Sequence, residues 1–152
     1  MKAFIVDEYG KDSRLRAGQL PEPEVGDHDV LVRIVASGVN PLDVKIMAGE
    51  FKLVLPYRPP FVLGNDLAGV VERVGRGVQR FAPGEEVYAR PDKDRIGTFA
   101  ELIAIDERDL ALKPAQRSIW PRRAGLCVDR QPLRRLRIGQ GRDGIYTSSD
   151  AF

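Results

Sequence analysis

Cysteine is almost missing from this sequence. The single one, Cys127, lies in the last quarter of 152 residues. Residues 1–114 can therefore form neither a disulfide nor a thiolate metal site. Histidine is as scarce. His28 is the only one; it follows the Gly26-Asp27 turn signal, where an incidental surface residue is the plain reading, and no role is assigned to it. Long apolar runs are missing too, since no stretch approaches the roughly 20 residues that span a bilayer. The opening decapeptide MKAFIVDEYG carries acids too early for a secretory signal. Together these absences predict a cytoplasmic protein with no membrane partner.

Lysine and glutamate are missing from one part of the chain only. Residues 115–152 hold eight Arg, three Asp, no Lys and no Glu, whereas residues 1–114 hold 16 Lys+Arg against 19 Asp+Glu. The overall charge of +2 thus hides an acidic body and a basic tail. We expect one domain over 1–114 and a separate Arg-rich tail over 115–152. Arginine can neutralise phosphates, but this tail lacks the interleaved aromatics of a nucleic-acid binder. No nucleic-acid partner is expected.

What is present in the body is strand and turn chemistry. Residues 2–6 form an apolar, β-branched run, and residues 14–20 alternate weakly beside it. Residues 29–36, DVLVRIVA, make the best strand in the sequence. Further strands are expected over 67–74, 86–90, 98–105 and 110–113. Residues 40–49 read as a short helix: Asn40 is a good N-cap, Pro41 suits the first helical position, Asp43 meets the positive end of the dipole, and Gly49 ends it. Turns are signalled at Gly75-Arg76-Gly77 and at Pro83-Gly84. Many short strands with Gly and Pro turns predict a small, partly open β-barrel.

Residues 53–88 organise the rest. A Pro-rich approach (Pro56, Pro59, Pro60) leads into Phe61-Val62-Leu63, and Gly64-Asn65-Asp66 follows as a polar kink before the strand at 67–74. With Ala36-Ser37-Gly38-Val39-Asn40-Pro41-Leu42-Asp43, Val74-Gly75, Gly84-Glu85-Glu86-Val87-Tyr88 and Gly97-Thr98-Phe99-Ala100-Glu101, this stretch resembles the N-terminal, GroES-like domain of the medium-chain dehydrogenase/reductase superfamily. It is most similar to the zinc-independent, zeta-crystallin-like quinone oxidoreductases. The resemblance runs from Met1 to about Pro114. It implies a mainly β, GroES-like barrel with short helices and no Rossmann domain.

The same resemblance implies a site. In zinc-dependent relatives a Cys ligand stands at the place of Asn40, and a His-Glu pair at the place of Asn65-Asp66. Carboxamides are poor zinc ligands and Asp66 alone cannot hold the ion; no zinc is expected. The family chemistry without metal is hydride transfer from NADPH to a quinone or an α,β-unsaturated carbonyl, a small-molecule carbonyl or quinone being the partner. Asn40 and Asn65 are then the catalytic candidates, Asn40 orienting a carbonyl and Asn65 donating a hydrogen bond. Asp43, Lys45, Gly64 and Asp66 are expected around the cleft. A cap, a turn or a solvated surface explains Asn40 and Asn65 equally well without function, and it explains the other residues better than a role in the cleft does.

The cofactor half is not expected in this chain. A Rossmann domain needs repeated βαβ units of about 30 residues each, and only 38 residues follow Pro114. Gly139-Gln140-Gly141-Arg142-Asp143-Gly144 spells G-x-G-x-x-G, but only eight residues follow it, so it reads as coincidence. Residues 119–123 can be encoded so that a neighbouring frame reads Met-Ala-Glu-Ala, the kind of helix relatives carry there. The expectation is a truncated substrate-side domain with an out-of-frame end, binding no NADPH and without turnover alone. Apolar surface left uncovered would favour a homodimer. The alternative is a stand-alone GroES-like barrel acting as a binding module.

Overall fold

The computed structural model describes residues 1–114. The Arg-rich stretch 115–152, with its glycine motif and out-of-frame reading, lies outside the described residues.

Strand β1 (Lys2–Val6) pairs antiparallel with β2 (Leu15–Gln19) on one side and with β4 (Phe61–Val62) on the other. Between them come β3 (Asp29–Ala36) and helix α1 (Pro41–Ala48). β5 (Leu67–Val74), β6 (Glu86–Ala89), β7 (Leu102–Asp106) and β8 (Leu110–Leu112) complete a second sheet in the order β7-β3-β5-β6-β8. Every strand pair is antiparallel. The result is mainly β, as expected, but the two sheets do not close into one barrel; an isolated bridge, Ala3 to Ala100, joins them.

Period-two alternation explains the larger core. Val30 and Val32 of β3, Val71 of β5, Val87 of β6 and Ile105 of β7 are all almost fully buried in one cluster. These β-branched side chains suit a pleated surface that packs on one face. A second cluster, formed by Phe4, Val6, Ile46, Leu63 and Phe99, lies between β1, α1 and the segment after β4. The expected strand 98–105 divides. Its second half becomes β7, while Phe99 to Glu101 runs between the sheets. There the Phe99 carbonyl accepts from Phe4 N–H at 2.8 Å, Glu101 N–H donates to the Lys2 carbonyl at 3.0 Å, and the Glu101 carbonyl accepts from Ile34 N–H at 2.9 Å. β4 was not anticipated, because two paired residues are too few to show a period.

Candidate functional site

Helix α1 starts as its sequence demands. Asn40 is extended (φ −112°, ψ 157°), Pro41 takes the first helical position, and Gly49 closes the helix in the left-handed region at φ 82°. Asp43, at the third position, reaches back: its Oδ2 accepts from the Asn40 backbone N–H at 2.7 Å. That is the carboxylate half of a capping box. The same carboxylate also neutralises the positive end of the helix dipole.

The kink opposite is built by Gly64, whose φ is 111°. Its carbonyl accepts from Gly97 N–H at 3.0 Å and from Thr98 N–H at 3.3 Å, and the Leu63 carbonyl accepts from Phe99 N–H at 2.9 Å. The kink is therefore clamped onto residues 97–99. Ser37 adds a second clamp. Its hydroxyl donates to the Asp66 carbonyl at 2.6 Å and lies 2.6 Å from the Thr98 hydroxyl. A serine has one proton to give, so Thr98 must be the donor to Ser37. Both side chains are buried.

Helix start and kink meet through their polar side chains. Asn40 Nδ2 donates to Asp66 Oδ2. Asn65 Nδ2 donates to Asp43 Oδ1 at 2.7 Å in a buried contact. With the Asn40 N–H to Asp43 bond, these contacts close a ring through Asp66, Asn40, Asp43 and Asn65 in which carboxylates alternate with amide donors. Asp43 is only 1% exposed and Asn65 7%. Burial pushes the Asp43 carboxyl up from its ordinary range; the Asn40 N–H and the Asn65 amide pull it back down, and the Asp66 charge adds to the rise.

Of the predicted site residues, the structure brings Asn40, Asp43, Asn65 and Asp66 together, with Gly64 shaping the kink. Lys45 is exposed on α1, outside the ring. Ser37 and Thr98 were missed as supports. They stand 61 residues apart in sequence, and no local pattern announces that pairing. His28 is exposed in its turn.

The donor set does not fit a tetrahedral zinc. Among the described residues, no three His, Cys, Asp or Glu side chains converge. At the ring, the two oxygens of Asp43 are already taken by N–H groups. An open depression of about 580 Å³ lies elsewhere, along Leu31, Arg33, Ile34, Glu72 and Arg73. Arg33 pairs there with Glu72 and Arg73 with Glu22, Glu101 accepts from the Lys2 backbone N–H at 2.8 Å, and the depression includes none of the predicted site residues.

Among described residues no helix is long and apolar enough to cross a membrane. Residues 26–115 match the family model of the alcohol dehydrogenase GroES-like domain. The chain is 37% identical over 121 residues to a chloroplastic NADPH-dependent alkenal/one oxidoreductase of Arabidopsis thaliana, covering 75% of this chain and 31% of that protein. It is 33% identical over 117 residues to a chloroplastic quinone-oxidoreductase of Triphysaria versicolor, covering 76% and 36%. A solved alcohol dehydrogenase superfamily protein from Novosphingobium aromaticivorans superposes with a TM-score of 0.70 at 38% identity, covering 82% of this chain and 37% of that one. The chain spans about a third of the length of the curated relatives it matches.

Proposed function

The chain belongs to the alcohol dehydrogenase GroES-like domain family, and from that premise we propose that residues 1–114 form the substrate-side wall of a zinc-independent, NADP(H)-dependent oxidoreductase. The reaction class is hydride transfer to the polarised carbon of a quinone or an α,β-unsaturated carbonyl compound. The alkenal and quinone activities named for the two plant relatives support that substrate class. NADPH, when bound, supplies the hydride. Residues 1–114 are proposed to supply only the substrate-facing wall of the cofactor cleft, and residues 1–152 alone to bind no NADPH and to give no turnover.

The observation that carries this reading is the ring of Asp66, Asn40, Asp43 and Asn65. It stands where the resemblance puts metal ligands in zinc-dependent relatives. Two carboxamides held by two carboxylates form a pre-organised polar wall, and such a wall orients an acceptor without having to reorganise. The Asn40 amide gives one proton to Asp66; its second N–H is the group proposed to meet the substrate carbonyl. Asn65 lines the same wall. Asp43 and Asp66 hold the amides, Gly64 sets the angle between the two halves, and Lys45 takes no step.

The test uses purified chain labelled with 15N. Cyclohex-2-enone should shift the side-chain amide signals of Asn40 and Asn65, and calorimetry with NADPH should give no stoichiometric binding. Enone shifts confined to other parts of the chain would sink the substrate-wall reading. Saturable binding of one NADPH per chain would overturn the assignment of the cofactor to other residues. The second reading, a stand-alone binding module, draws on Leu53 and Val54, which are 92% and 74% exposed after α1. A ring silent to the enone, together with a discrete protein partner, would favour it. Cytoplasmic residence and a homodimer belong to the main proposal; light scattering reads the dimer.

A further inference from the structure

The two ends of a carboxamide are not equivalent: nitrogen only donates and oxygen only accepts. Which end faces a ligand therefore decides which ligand group it can meet. For Asn65 the choice is forced by its neighbour. Asp43 is fixed at the third position of α1 by the 2.7 Å bond from Asn40 N–H to its Oδ2. Its other oxygen, Oδ1, is a carboxylate oxygen and can only accept. Asn65 must therefore turn its nitrogen to Asp43, as it does at 2.7 Å. Its carbonyl oxygen, Oδ1, then points away from the carboxylate. Among the described residues nothing donates to that oxygen, and it is not among sealed polar atoms, since no fully buried side-chain N or O lacks a partner. The 7% exposure of Asn65 is thus consistent with an open acceptor at the edge of the ring.

We propose that Asp43 is a positioning residue, whose carboxylate holds the Asn65 amide with its nitrogen inward so that the site presents an acceptor to a ligand N–H or O–H. This rests on reading the ring as the cleft wall, and it changes the part Asn65 plays there. Rather than donating to a developing oxyanion, Asn65 receives a proton donor. Two ligand groups have that chemistry: a primary carboxamide, such as the one on a nicotinamide ring, and a hydroxyl, such as the one on a reduced quinone.

The experiment has a structural arm and a binding arm. In the wild-type chain, one of the two Asn65 Nδ2 protons should be shifted downfield and protected from exchange. In Asp43→Asn, whose side chain can present either end, that asymmetry should collapse while the backbone spectrum stays folded. If the variant fails to fold, the wild-type spectrum still decides, because two Asn65 Nδ2 protons that both exchange freely and show only the ordinary separation of a solvated carboxamide would overturn the positioning. The binding arm compares nicotinamide with N,N-dimethylnicotinamide, and 1,4-hydroquinone with 1,4-dimethoxybenzene. One hydrogen bond of ordinary net strength corresponds to roughly a threefold to tenfold preference for the N–H or O–H member. A preference within the first pair identifies the carboxamide, within the second the hydroxyl; either should vanish in Asp43→Asn. Binding without preference, or a preference that survives Asp43→Asn, overturns the proposal. If no probe shifts Asn40 or Asn65, the cleft reading fails and takes the ligand half with it. The amide spectrum then separately upholds or rejects the positioning by Asp43.

Discussion

A Cβ at position 64 would come within 2.3 Å of the Thr98 hydroxyl oxygen, 2.6 Å of Phe99 Cδ1 and 2.8 Å of the Phe99 backbone nitrogen. The backbone there also has a φ of 111°, a region L side chains avoid. Gly84 has a similar φ of 92°, but nothing lies within 4 Å of the Cβ it would gain. The two glycines separate strain from crowding. Gly84→Ala should lose about 1–2 kcal/mol through backbone strain alone. Gly64→Ala should lose that and roughly 1–3 kcal/mol more through overpacking, and it should disturb Asn65 directly. Urea unfolding of both variants checks this; equal losses would mean that the contact with Thr98 and Phe99 relaxes at little cost.

At the scale of elements, one ion pair ties the start of β3 to the short 3-10 turn at Lys93–Arg95. Arg95 grips both Asp29 oxygens, at 2.7 and 2.8 Å, and also donates to the Ala104 carbonyl at 3.0 Å on β7. The Arg95 hydrogen bond holds the Asp29 carboxyl below its ordinary range, against a smaller opposing effect of burial, and the Gly26 N–H helps. A depressed folded pKa means that the stabilisation is present above the unfolded value of about 3.9. It is lost as pH falls through the folded value. Asp29→Asn should therefore cost about 1–2 kcal/mol at pH 7, less than a sealed pair because the Arg95 side chain is 40% exposed. The gap to wild type should close as pH drops from 5 towards 2. A gap that stays constant over that range in paired unfolding curves would rule out the linkage. Asp43 has the opposite sign: its raised carboxyl favours the folded state at low pH, and that advantage is lost as pH rises through its folded value.

Elements also show what the sequence could and could not announce. β3, β5 and α1 were legible with bounds close to those observed, because β-branched runs, a capping asparagine and a terminal glycine are local signals. The Pro83-Gly84 turn was legible for the same reason, with Glu85 N–H reaching the Ala82 carbonyl at 3.3 Å across it. β4 and the connector at residues 99–101 were not, since their role is set by partners far away in sequence. The same holds at the site. Asn40 and Asp43 could be read as a cap and Asn65 and Asp66 as a kink, yet neither reading shows that the cap and the kink bond to each other. Ser37 and Thr98 belong to that second, non-local kind.

The whole molecule depends on that connector. Residues 99–101 bond to β1 on one side and to β3 on the other, and Phe99 N–H also clamps the Leu63 carbonyl at the kink. The Phe99 side chain is 3% exposed and packs in the smaller core with Phe4, Val6, Ile46 and Leu63. The larger core, around Val30, Val32 and Ile105, is a separate cluster. Two cores joined through such a segment can unfold together or apart, and the density of bonds through 99–101 argues for together. Phe99→Ala should then cost about 3–5 kcal/mol, the usual range for emptying a phenylalanine site. The loss should also appear in both sheets. Hydrogen exchange of the backbone amides is the direct reading, since it resolves which segments open as a unit. Protection should fall by a similar factor in β1 and in β5 of Phe99→Ala. If β1 and α1 lose protection while β3, β5 and β7 keep theirs, the sheets are independent units. The ring that joins helix start to kink would then hold its shape only while the smaller unit stays folded.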